Sequence, residues 1–207
     1  MRNATHDFMN HLPPVFSARE AASLMLGIRS PAHVLSRMVD NQELVRLRRG
    51  LFAATGSIDT FFAANRLVPN SYVSFETALS HYGMIPERVE TVMSVCLTRH
   101  TRITTEAGDF EFMAQTHELF SASHTLEFRQ GYSVRIATRE KALFDTISRM
   151  RIRATSMTED DARRFVIEGL RVEEDTIHSL SIRELRRLSP FYTSRLIHLF
   201  VSSLRSH

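Results

Sequence analysis

Apolar positions recur through the first third of the chain in short, punctuated bursts. In the run SAREAASLMLG, which begins at Ser17, residues Ala21, Leu24 and Met25 are spaced three and four apart, placing them on one face of a helix. Ser17 and Glu20 make a capping box before it, in which hydroxyl and carboxylate each satisfy an orphan amide of the first turn. The helix is predicted to reach about Leu26, where Gly27 stops it. Ser30 and Pro31 then start a second helix, as N-cap and first-turn proline. It is predicted to run to about Asn41 and to bury Val34, Leu35, Met38 and Val39, after a tight turn of three or four residues. In LVRLRRGLFAAT the period changes to two. Val45 and Leu47 point inward, Arg46 and Arg48 outward, Arg49 and Gly50 make the tip, and Leu51 to Ala54 return. Two short capped helices followed by a small basic hairpin are the parts of a winged helix-turn-helix.

Beyond it the pattern is mixed. Residues 57–70 read as a linker in which FFAANRL can form a short helix and Pro69-Asn70 a turn, which divides the chain into 1–56, 57–70 and 71–207. Ser74 is placed to cap a helix with Phe75, Ala78, Leu79 and Tyr82 on one face, and Gly83 ends it. Strand-like runs follow at Val92 to Thr98, Phe110 to Gln115 and Ser133 to Ala137. Thr138 opens a helix with Ala142, Leu143 and Ile147 inward. Thr158 caps another with Ala162, Phe165, Val166 and Leu170 inward, and Ser181 with Glu184 forms a further capping box. Phe191 to Leu204 makes a final amphipathic helix, expected to be buried within its own domain, with packing against another subunit as the alternative. The fold class is therefore α+β: an N-terminal winged helix-turn-helix, then a larger α+β domain with a small sheet and a helical C-terminal tail.

Charge sharpens this picture. The formal net charge is only +3. Residues 1–56 hold seven Arg against four acidic residues, and the remaining basic and acidic residues balance, so the whole excess lies in the candidate DNA-binding segment. Lys141 is the one lysine, and every other basic side chain is Arg. Arg suits bidentate contacts to guanine and phosphate, although a GC-rich coding bias accounts for an Arg excess equally well. The second helix is the candidate recognition helix, with Ala32, His33, Ser36 and Arg37 outside its buried face. Ser30 adds a hydroxyl and helix-start amides suited to a phosphate. The candidate DNA-binding set is Ser30, His33, Ser36, Arg37, Arg46, Arg48 and Arg49. His33 reads equally well as a plain exposed helix residue, and Asp40 would repel phosphate, so the contacting surface stops before it.

Three stretches together resemble the AbiE-type (AbiEi-like) antitoxin family, bacterial transcriptional regulators of type IV toxin–antitoxin systems. The first is the winged segment ending in LVRLRRGLFA. The second, YVSFETALSHYGMIPE, is similar to the family's helix segment at Ser74, Ala78, Leu79, His81 and Gly83. The third, VRIATREKALFDTI, is similar to its strand-then-helix segment at Ala137, Glu140, Lys141, Ala142, Leu143 and Asp145, with Arg139 where proline is frequent. The resemblance implies a repressor that binds inverted repeats of duplex DNA at its own promoter, as a monomer or a homodimer on DNA. It also implies neutralisation of a cognate nucleotidyltransferase-type toxin without an obligatory stable complex.

Other classes have weaker claims. A stand-alone winged-helix transcription factor with a C-terminal effector or dimerisation domain fits the same N-terminal reading. A metal nuclease would draw on Glu76, His81, Asp109, Glu111, Glu140, Lys141 and Asp145, but Met113 stands where the lysine after a paired acid would be. Asp109 and Glu111 read more simply as a solvated strand face, His81 as a core-edge histidine, and Glu140, Lys141 and Asp145 as helix-end charges with an i,i+4 pair. His6, His11, His100, His117 and His124 lack paired metal spacing, and no glycine-rich phosphate loop occurs. Neither catalysis nor any metal or cofactor is expected. The lone Cys96 reads as a core residue. No apolar run approaches the roughly 18 residues of a membrane span, and the first residues lack a secretory apolar region. No membrane partner is expected, and a cytoplasmic location is.

Overall fold

Ser17 sits where a strand turns into a helix, and it serves both. It ends β1 (Val15–Ser17), and its hydroxyl accepts the Glu20 amide at the start of α1 (Ala18–Leu24). The computed structural model describes residues 7–56 and 58–204. Among these it is mixed α+β, with ten α-helices and two sheets. After α1 come α2 (Pro31–Asp40), β2 (Leu44–Arg48) and β3 (Leu51–Ala54). The three strands make an antiparallel sheet in the order β1-β3-β2.

Strand alternation divides this sheet between two cores. Phe16, Leu44 and Phe52 face α1 and α2, where they meet Phe8, Leu12, Ala21, Met25, Leu35 and Met38. Val15, Val45, Leu47, Leu51 and Ala53 belong to the core of the rest of the molecule. Two expectations are corrected here. Leu24 is 40% exposed and Leu26 87%, so the inward face of α1 consists of Ala21 and, just past its end, Met25. Because α1 ends at Leu24, six residues separate the helices rather than three or four.

Residues 57–70 contain a packed element. Asp59 caps α3 (Thr60–Leu67), accepting the amides of Phe61 at 2.9 Å and Phe62 at 3.1 Å, and Ala63, Ala64 and Leu67 are fully buried. The second sheet has six strands in the order β6-β7-β5-β4-β9-β8. These are β4 (Ser71–Val73), β5 (Val92–Cys96), β6 (Thr101–Thr105), β7 (Gly108–Ala114), β8 (His124–Arg129) and β9 (Tyr132–Ala137). The pairs β4–β9 and β5–β7 are parallel and the others antiparallel. Cys96 is fully buried within β5.

The remaining helices are α4 (Phe75–His81), α5 (His117–Ser121), α6 (Arg139–Arg149), α7 (Glu159–Arg164), α8 (Glu174–His178), α9 (Ile182–Leu188) and α10 (Arg195–Ser203). Helix α6 is central: every residue from Glu140 to Ile147 is buried. The final helix is shorter than expected, because a 3-10 turn at Ser189–Phe191 precedes it. Its Leu196, Ile197, Phe200 and Val201 are buried by the chain itself. No helix among the described residues is long and apolar enough to cross a membrane.

Candidate nucleic-acid interface

On α2 the burial of Leu35 and Met38 fixes which residues face out. Ala32, His33 and Arg37 are exposed and Ser36 is half-buried. Ser30 occupies the N-cap position, but its hydroxyl makes no capping bond and is exposed. The helix start offers fewer amides than expected. Pro31 has none, and the His33 amide already donates to the Ser30 carbonyl at 3.2 Å. Arg29 lies just before this cap, exposed and without an ion pair among the described residues. It is absent from the expected set, and its only sequence signal was its place beside Ser30.

The hairpin presents its arginines by the same logic. Val45 and Leu47 are anchored in the core, so Arg46 and Arg48 point out. Arg46 pairs with Phe52 and Arg48 with Leu51, and the register shifts between them. The Arg46 guanidinium lies 5.6 Å from the centre of the Phe52 ring. Arg48 and Arg49 flank the tip, where Gly50 has φ +75° in open space, a backbone conformation that favours glycine. Among the described residues, Arg37, Arg46, Arg48 and Arg49 form no ion pair. Their charge faces solvent.

Glu20 ties this unit to the rest. It accepts the Ser17 amide at 2.6 Å, and the same carboxylate oxygen pairs with Arg66 on α3. Burial alone would raise the Glu20 carboxyl, but the Ser17 bonds and the Arg66 guanidinium hold it below the usual carboxylate range.

The polar residues of the larger part are committed to one another. Lys141 and Asp145 are no surface i,i+4 pair, because both side chains are fully buried. Lys141 Nζ donates to Asp145 Oδ1 at 2.5 Å and to Gln115 Oε1 at 3.0 Å. Asp145 also accepts Tyr192 Oη at 2.6 Å, Gln115 Nε2 at 2.8 Å and Ser74 Oγ at 2.7 Å. Ser74 therefore caps no backbone amide of α4; its hydroxyl points at Asp145. Burial pushes the Lys141 ammonium down, against the pull of Asp145. Burial first and the Asp145 carboxylate second push the Tyr72 and Tyr192 phenols far up.

The other candidates are similarly occupied. Glu140 is buried and accepts the Ser181 amide at 2.9 Å, which is the bond that the expected capping box assigned to Glu184. Glu184 instead bonds Ser123 and Arg187. Glu111 departs from the solvated strand face expected of it: it is buried and bonded by His100 at 2.8 Å and Arg102 at 3.1 Å, while Asp109 is exposed. Glu76 pairs with Arg149, and His81 Nε2 donates to the Glu127 carboxylate at 2.8 Å beside the Phe61 ring. No group of three or more His, Cys, Asp or Glu among the described residues converges as a metal site. A cleft of about 520 Å³ lies between Phe75, Gln115, Leu119 and Arg149.

No protein-family model matches this chain, and no curated protein does.

Proposed function

We propose that the N-terminal unit is a winged helix-turn-helix and that the protein binds duplex DNA as a transcriptional repressor. One observation carries the reading: the hairpin's three arginines, Arg46, Arg48 and Arg49, stand exposed and without an ion pair among the described residues, in the same unit as the exposed His33 and Arg37 of α2. Buried Leu35 and Met38 behind α2 leave its outer face free for a major groove, and the hairpin would track the adjacent phosphates. Ser30, Ser36 and Arg29 complete the surface. Arg29 replaces part of the phosphate-binding role that the helix-start amides cannot supply.

The antitoxin half of the proposal rests on the family resemblance of the Ser74–Gly83 and Ala137–Asp145 segments. On that reading the larger domain neutralises a nucleotidyltransferase-type toxin encoded beside it, and the buried Lys141–Asp145 network holds the domain's shape.

The test is titration of the full chain against a duplex spanning the region upstream of its own gene, at several salt concentrations. Each phosphate contact contributes roughly −0.9 to the slope of log K on log salt. Replacing Arg46, Arg48 and Arg49 with Ala should therefore flatten the slope by about three units if each touches phosphate. An unchanged slope would remove the hairpin from the interface. Co-expression with the neighbouring gene decides the second half: relief of growth arrest supports an antitoxin, and no effect favours a stand-alone regulator.

A further inference from the structure

The two ends of the six-stranded sheet differ in character. At one end β6 reads TRITT, with Arg102 and Thr104 exposed, the kind of polar edge that discourages strand addition. At the other, β8 carries Leu126 and Phe128 outward, 66% and 77% exposed. Its two charges are turned to the opposite face and already matched inside the molecule. Glu127 meets His81 at 2.8 Å, and Arg129 meets Asp59 at 2.9 Å. A strand brought alongside β8 would therefore meet Leu126 and Phe128 with His124 on one face, and on the other the already paired Glu127 and Arg129.

The backbone direction follows from the hairpin. Strands β8 and β9 are joined by Gln130 and Gly131 with φ +47° and +87°, a two-residue turn of the primed type. Such a turn makes Arg129 and Tyr132 the closing hydrogen-bonded pair, so Thr125, Glu127 and Arg129 direct their amides and carbonyls to β9. His124, Leu126 and Phe128 direct theirs away from the sheet, where β8 pairs with no strand among the described residues.

We propose that β8 pairs antiparallel with β8 of a second copy of this chain, about a two-fold axis at Leu126. In that register Leu126 faces its own counterpart, His124 faces the copy's Phe128, and Thr125 faces the copy's Glu127. Every outward amide and carbonyl of the three residues finds a partner, and the apolar side chains meet across the seam. A register centred on Glu127 would set two carboxylates against each other, and one centred on Thr125 would leave Phe128 without an apolar partner. Self-complementarity of this kind is what an isologous dimer requires and an unrelated strand does not supply. The sheet would run unbroken through both copies. The inference does not depend on the DNA-binding reading.

A single shared strand buries less than the roughly 1,600 Å² of a standard interface, so the association should be concentration-dependent. Sedimentation of the full chain from about 1 to 100 μM should show the mass rising from 23.8 kDa toward twice that value. Phe128→Arg and, separately, Leu126→Lys should remain single chains over the same range, with unchanged circular dichroism because both side chains are exposed. Cross-linking reads the register. Hydrogen-bonded antiparallel partners lie about 5.5 Å apart at Cα, within disulfide reach. Under mild oxidation Leu126→Cys should cross-link at least tenfold faster than Glu127→Cys, and the buried Cys96 should not compete. A wild-type chain that stays single throughout, a dimer that both charged variants leave intact, or preferential cross-linking through position 127 would each overturn the proposal.

Discussion

Lys141 was readable in the sequence as the first member of an i,i+4 pair with Asp145, but nothing in the spacing indicated that both are buried. Burial was hidden because it comes from elements far away in the chain: Tyr72 and Ser74 before β5, Gln115 after β7, and Tyr192 ahead of α10. The two partners should differ in how badly they tolerate replacement. Asp145→Asn leaves an ammonium in the interior without its counter-charge and should cost about 3–5 kcal/mol. Lys141→Met leaves a carboxylate that still accepts Tyr192, Gln115 and Ser74, so it should cost less, about 1–3 kcal/mol. Urea unfolding of each variant measures both, and equal losses would contradict the idea that the network belongs to Asp145. The same cluster sets a pH dependence. Unfolded phenols ionise near pH 10, whereas Tyr72 and Tyr192 are held protonated far above their ordinary value when folded. Their contribution is thus fully present below about pH 10 and is lost as pH rises beyond it. The lowered Lys141 acts in the opposite sense, adding stability as pH climbs toward its unfolded value, so the informative comparison is between chains that share it. Tyr192→Phe should show a shallower loss of stability than wild type between about pH 10 and 11. Parallel curves for the two proteins would mean that the Tyr192 phenol ionises as freely as in the unfolded chain.

Elements announced by local chemistry were legible, and elements made by tertiary pairing were not. The Ser17 capping box, the Thr158 cap, the Pro31 helix start and the Val45–Leu47 alternation all carry their cause within a few residues. Strand β6 escaped because its edge position keeps it polar, β8 because its apolar Leu126 and Phe128 lie on the exposed face and mark no core, and β4 because three residues are too few to show a period. Within the candidate interface the arginine face of β2 could be read from alternation, while the missing helix-start amides and Arg29 could not, since both depend on how the chain turns between α1 and α2. The hairpin tip offers a clean element-level test. A Cβ at Gly50 would touch nothing within 4 Å, so Gly50→Ala would be opposed by the φ of +75° alone. The loss should be about 1 kcal/mol, read by urea denaturation, and on the proposed DNA-binding reading duplex affinity should fall too, because the tip that carries Arg48 and Arg49 must rearrange. A stability change near zero would show that the turn relaxes at no cost. At the other end of the unit, Ser17→Ala should cost about 1 kcal/mol through the lost cap.

The three-part division expected from charge and composition bears on how the whole molecule unfolds. The N-terminal sheet gives one face to its own helices and the other to the large core, through Val15, Val45, Leu47, Leu51 and Ala53. Helix α3 lies between the two parts with its alanines buried, and Arg66 on it pairs with Glu20 of α1. Cutting the chain at residue 56 would bare an apolar sheet face, which is why the proposed DNA binding is best tested on the full chain. A shared core also predicts one cooperative transition rather than two. The placement of the tyrosines makes this measurable. All four, Tyr72, Tyr82, Tyr132 and Tyr192, lie beyond the first third, and the chain has no Trp. Intrinsic fluorescence therefore reports on the larger part alone, while circular dichroism reports on every helix. Leu47→Ala removes a 4%-exposed side chain from the N-terminal sheet and should cost about 2–5 kcal/mol. If the two parts unfold together, the fluorescence midpoint must fall with the dichroism midpoint, although the substitution is in a segment that contains no fluorophore. A fluorescence transition left at its wild-type position would mean that the first third melts by itself, and that the two faces of its sheet are not energetically joined.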